Sequence, residues 1–156
     1  IETIDPQYVP RFGGLGVVAS MQPVHATPSP TADDVWSLNI GEERASRGWL
    51  WASIARTRGP IAFGSDWPVM AFDPKAGLHV AATRTTADGL PEGGWLPAQR
   101  LPLRQAIQAY TRDGAWASFD EQRKGTLARD MLADIVVLSE DIFTGPPARL
   151  LETELG

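Results

Sequence analysis

The chain of 156 residues has no cysteine, so disulfides, thiolate nucleophiles and cysteine-ligated metals are excluded together, while the redox compartment stays open. Histidine is almost as scarce. His25 and His79 stand 54 positions apart with no HxH or HxxxH pairing, so a metal site drawn from this chain has to use scattered ligands. No stretch approaches the roughly 18 consecutive apolar residues of a membrane span. Ile1-Glu2-Thr3-Ile4-Asp5 does not read as a signal peptide, and a soluble, cytoplasmic location is the default expectation. A basic excess is missing too: the net charge of -5 argues against a nucleic-acid partner, and nothing directs the chain to a membrane. There is no internal repeat and no low-complexity segment. What is present is the balance of a globular protein, with 43% hydrophobic and 21% charged residues, which argues against global disorder.

The most informative stretch is Pro60-Ile61-Ala62-Phe63-Gly64-Ser65-Asp66-Trp67-Pro68. A short apolar run between Gly59-Pro60 and Gly-Ser-Asp reads as a buried strand that carries one carboxylate, Asp66, to its C-terminal tip. In α/β architectures the strand ends hold ligands and metals, which gives an acid there a functional reading. The alternative is that Asp66 caps the following turn, with Pro68 keeping Trp67 extended.

Around this stretch the pattern alternates. Asp5-Pro6 opens a helix that Gly13-Gly14 is expected to end, and Leu15 to Met21 has the composition of a strand. A Pro-rich loop with His25 follows. Ser29 or Thr31 is expected to cap a helix through Asp33, Asp34, Val35, Trp36 and Leu38. Residues 42 to 57 are expected to be helical, with Trp49, Leu50, Ile54 and Ala55 sharing a face. Strand, helices, strand is the order that a parallel βαβ unit requires, and it is the main argument for an α/β fold. Beyond Pro68 we expect a short helix over 75 to 83, an irregular stretch over 85 to 99, a helix from Pro102 through Tyr110 and another over 114 to 119. Lys124 to Leu127 and Asp134 to Leu138 then read as a hairpin of a different sheet.

Taken in order, Asp5-Pro6, ASMQPVHAT at 19 to 27, FGSDWPV at 63 to 69, GGW at 93 to 95, AYT at 109 to 111 and KGTL…ADIVVL at 124 to 138 resemble the C-terminal part of the metal-dependent amidohydrolases. The nearest branch is the YtcJ-like, exoenzyme-type amidohydrolases (amidohydrolase family 3), which includes N-substituted formamide deformylases. FGSDWPV with SMQPxH at this separation is specific. KGTL…ADIVVL alone marks only the wider superfamily.

The resemblance implies an α/β fold in which residues 1–120 are the C-terminal part of a (β/α)8 TIM-type barrel, with strands seven and eight at 16 to 21 and 61 to 65. Residues 121–156 would return to a small flanking β-sandwich. It further implies a divalent metal, zinc by preference, and hydrolysis of a C–N bond in a small amide-type substrate by metal-activated water. Asp66 would be both metal ligand and proton acceptor, with Gln22, His25 and Trp67 contacting substrate. The family's HxH pair and its other ligands belong to earlier strands, and Asp130 stands where relatives usually have Gly. The expectation is therefore that this polypeptide alone binds no stoichiometric metal, is inactive, and self-associates through exposed strand edges. A non-catalytic α/β interaction module with amidohydrolase sequence is the alternative.

Other candidates have more than one reading. His25 suits substrate contact, support of a ligand, loop packing or metal ligation; Gln22 suits a substrate carbonyl or a turn. Trp67 suits a pocket wall or rim packing. Ser65 reads as a neighbour of Asp66 rather than a nucleophile, because no histidine is marked as its base. His79 reads as surface or packing. Arg84 and Arg112 could bind an anionic group or be solvated, and Trp36, Trp49, Trp51, Trp95 and Trp116 read mostly as packing.

Overall fold

The computed structural model describes residues 1–26 and 35–156. Its centre is a parallel pair of short strands, β1 (Ala19–Met21) and β2 (Ile61–Phe63), in the register Ala19↔Ile61, Ser20↔Ala62 and Met21↔Phe63. The pairing runs one residue beyond each strand, since Ala19 N donates to Pro60 O and Gly64 N to Met21 O. Because side chains alternate along a strand, Ala19, Met21, Ile61 and Phe63 share the face that the helices cover. Ser20 is exposed on the opposite face.

Helices α1 (Val9–Leu15), α2 (Val35–Ile40), α3 (Glu42–Ala45) and α4 (Trp51–Arg56) come before β2. After it come α5 (Pro74–Thr83), α6 (Leu103–Tyr110) and α7 (Arg112–Ala117), and the chain closes through a 3-10 turn at Pro147–Leu151 that packs on α5. The β-helix-β order with parallel strands is the α/β unit expected from sequence. Aromatic edges lock β2 to its helices: Phe63 lies 5.7 Å from Trp51 of α4 and 5.5 Å from Tyr110 of α6.

Several boundaries differ from expectation. The first helix does not stop at Gly13-Gly14; it runs to Leu15 and ends on Gly16 in the left-handed conformation, so the strand expected from Leu15 begins only at Ala19. Gly13 lies within the helix, where only a glycine fits because the Thr57 carbonyl passes too close for a Cβ. The helix expected over 42 to 57 is two helices. The break falls at Gly48-Trp49, where Trp49 has a positive φ of 47° and Trp36 and Trp95 close over Gly48, leaving no room for a side chain. The helix expected over 114 to 119 starts earlier, at Arg112.

The expected hairpin over 124 to 138 is not formed as a ladder. Asp130 does take the left-handed turn, at φ 67°, but the only pairing of this region among the described residues is an isolated bridge, Leu138↔Leu155. Val136 and Val137 are 64% and 65% exposed. Strand composition alone makes no strand without a neighbouring backbone to bond. The expected cap at Ser29 or Thr31 and the acids Asp33 and Asp34 lie outside the described residues. Among the described residues, no helix is long and apolar enough to cross a membrane.

Candidate functional site

Asp66 follows β2 by three residues and is exposed, in the left-handed conformation at φ 59°. Asp is among the few side chains that enter this region without large cost. The turn after it is closed by backbone: Asp66 O accepts from Val69 N at 2.8 Å. The carboxylate is thus not what closes the turn, and it is presented at the strand tip beside Ser65.

The parallel register brings the tip of β1 to the same end of the sheet. Gln22 follows Met21 directly, and its carbonyl accepts from His25 N at 3.1 Å in the short 3-10 turn Pro23–Ala26. Nε2 of His25 is buried with no hydrogen-bond partner. A buried ring nitrogen left without a partner costs free energy unless a group from elsewhere meets it. The Glu2 carboxylate accepts from the Trp36 indole at 2.8 Å and is engaged there. The structure therefore gathers Gln22, His25 and Asp66 at one end of the sheet. Trp67 is exposed, so it does not fill a core position among the described residues.

What holds this end in place is mostly remote from it. Asp73 caps α5 by accepting from Lys75 N at 2.9 Å, and Lys75 Nζ donates to Thr153 O. That fixes the far end of the loop that begins at Gly64. Behind β2, the Tyr110 ring backs Phe63, and burial raises the pKa of its phenol. Gly77 on α5 leaves the space that the Tyr110 hydroxyl occupies.

Arg84 corrects the sequence reading most clearly. It is not available to an anionic substrate: it is 0% exposed, with its guanidinium 4.4 Å from the Trp51 ring and 4.6 Å from Trp95. Its Nε donates to Trp95 O at 2.8 Å, and the other two nitrogens reach Trp49 O and Gly48 O at 3.5 and 3.4 Å. Burial lowers its pKa to about 9, and carbonyl dipoles and ring faces, rather than a carboxylate, compensate the charge. His79 is buried too. Its Nε2 lies 3.2 Å from Thr85 Oγ1 and 3.1 Å from Thr86 O, a packing role on α5. Arg112 pairs with Asp113 at 2.7 Å.

Sequence reasoning missed the exposed apolar residues that follow Asp66. Val69, Met70 and Phe72 are all exposed, Phe72 to 78%, in the loop that follows Asp66 in sequence. The run VMAF at 69 to 72 was the available signal. As a metal site the described residues are incomplete: no three His, Cys, Asp or Glu side chains among them cluster to hold an ion. Asp66 is a single donor, and sites of this kind need at least three protein ligands.

The chain is similar to known proteins in sequence and in fold. The chain is 37% identical over 133 residues to the protein LONG AFTER FAR-RED 3 of Arabidopsis thaliana, covering 83% of this chain and 21% of that protein. It is 27% identical over 150 residues to YtcJ of Bacillus subtilis (strain 168), which carries the name of an amidohydrolase, covering 96% of this chain and 28% of that protein. The chain thus spans less than a third of the length of these relatives. In structure it is similar to uncharacterized metal-dependent hydrolases of Pyrococcus furiosus (TM-score 0.73, 23% identity, 92% of this chain and 28% of the other) and Pyrococcus horikoshii OT3 (TM-score 0.76, 22% identity, 94% and 29%). Those likenesses show a shared fold. The profile of the amidohydrolase family matches residues 1–155, and the chain belongs to that family.

Proposed function

We propose that this chain supplies the strand-eight carboxylate of a metal-dependent hydrolase that cleaves the C–N bond of a small amide-type substrate. The observation that carries the proposal is the placement of Asp66: an exposed carboxylate at the C-terminal tip of β2, at the same sheet end as Gln22 and His25. A divalent metal, with zinc as the proposed ion, would when bound supply the acidity that makes water nucleophilic near neutral pH. Asp66 would be the residue of this chain that helps hold such a metal, and its carboxylate would serve as a proton acceptor. Gln22, His25 and Trp67 are the residues proposed to contact the substrate, and the partnerless buried Nε2 of His25 supports this for His25.

The same proposal reads residues 1–120 as part of a (β/α)8 barrel and 121–156 as part of a flanking β-sandwich. The exposed apolar segment at 135 to 137 supports pairing with a further strand. The chain by itself is proposed to be inactive and to self-associate through such edges. The decisive experiment replaces Asp66 by Asn in a protein of the relatives' full length. We expect amide hydrolysis to fall by about 100-fold or more, with substrate KM changed far less. Undiminished turnover by D66N would remove Asp66 from the chemistry. Stoichiometric, tight zinc binding by the 156-residue chain alone would refute its inactivity as a matter of missing ligands.

A further inference from the structure

At the other end of β2 a cleft of about 380 Å³ opens between the C-terminus of α4, the start of β2 and helices α6 and α7. Its volume lies within the range of small-molecule sites. Pro60 and Ile61 form part of an apolar floor, and Arg58, Gln105, Gln108, Arg112, Asp113 and Trp116 supply its polar and aromatic wall.

Arg58 is the informative residue. Gly59 N donates to Ile54 O and Arg58 N to Ala55 O, the bond pattern that closes a helix through a left-handed residue, and Arg58 is that residue, at φ 61°. Glycine is the usual occupant there because a Cβ is unfavourable. Here the position carries a long cation instead. Arg58 takes part in none of the ion pairs among the described residues and lies at the cleft.

The charge of the wall selects the ligand. Arg112 is already paired with Asp113 at 2.7 Å, so two guanidiniums against one carboxylate leave a single net positive charge. That balance suits a monoanion better than a phosphate dianion. A free guanidinium offers a planar fork that matches a carboxylate, the partly exposed Trp116 indole offers a flat apolar contact, and two carboxamides can orient the remainder. We propose that this cleft is a binding site for a small planar monocarboxylate, clamped by Arg58, at the opposite end of β2 from Asp66. The inference does not depend on the hydrolase reading.

Benzoate is the probe, titrated calorimetrically into the purified chain at pH 7, with the neutral isostere benzamide as control. We expect saturable benzoate binding that weakens as salt is raised, and benzamide weaker by about tenfold or more. Arg58→Gly is the variant of choice, because glycine adopts the left-handed position more readily than arginine and the chain should melt no lower than the parent. Its benzoate affinity should fall by about tenfold or more. Equal binding of benzoate and benzamide, parental affinity in R58G, or no saturation by about 20 mM would each overturn the site.

Discussion

Gly77 lies inside α5, where alanine is intrinsically better by about 0.8–1.0 kcal/mol, so propensity alone predicts that Gly77→Ala stabilises the chain. The structure predicts the opposite. A Cβ at Gly77 would stand 1.8 Å from the Tyr110 hydroxyl and 2.9 Å from its Cζ, where ordinary contact begins near 3.4 Å. The ring has little freedom to retreat, because it is largely buried and its edge packs on Phe63 at 5.5 Å. Overpacking of this kind costs about 1–3 kcal/mol, and with a ring held on its far side the upper part of that range applies. Net of propensity, G77A should lose about 1–2 kcal/mol in urea unfolding. The mechanism is separable from general damage by Tyr110→Phe, which removes the oxygen at 1.8 Å and leaves Cζ at 2.9 Å as the nearest obstacle. In that background G77A should cost less by about 1 kcal/mol or more, a favourable coupling that a four-variant cycle measures directly. If G77A is more stable than the parent, or if the two substitutions are additive within about 0.5 kcal/mol, the Gly77–Tyr110 contact does not limit α5 packing. The consequence for the site runs through Phe63, which lies three positions before Asp66 and is backed by the same ring.

Other perturbations follow from the contacts around the site. Arg84→Met should destabilise by about 2–4 kcal/mol, since the carbonyls of Gly48, Trp49 and Trp95 lose their donor and two indoles lose a stacked cation; a denaturant midpoint equal to the parent's would refute this. Asp73→Ala should cost about 1 kcal/mol by uncapping α5, while Asp73→Asn keeps an acceptor and should cost less, so equal losses in chemical unfolding would show that capping is not the reason. Val136→Lys should reduce self-association in light scattering, because the residue is 64% exposed within an apolar segment that no ladder covers among the described residues; a parent chain that is already a monodisperse monomer would refute the edge-pairing idea.

Local chemistry made much of this architecture legible. The apolar run Ile61 to Phe63, bounded by Gly59-Pro60 and Gly64, reads as a buried strand, and Asp5-Pro6 announces a helical turn through a carboxylate and a preset φ. Asp66 was legible for the same reason, as the acid that ends that run. Properties that need a partner distant in sequence were not. The break at Gly48-Trp49 depends on Trp36 and Trp95 arriving from other segments, and position 13 requires glycine because the Thr57 carbonyl passes beside it. Arg84 looks like any surface arginine until Trp51 and Trp95 close on it. The segment from 134 to 138 shows the limit from the other side: its composition favours a strand, yet a strand exists only where a second backbone accepts its hydrogen bonds. Composition and local pattern thus determined which elements this protein attempts and which acid follows β2. Tertiary packing alone decided where helices break, which cation is buried and which side chains share the sheet end with Asp66, because each of those is settled by atoms that the neighbouring sequence does not contain.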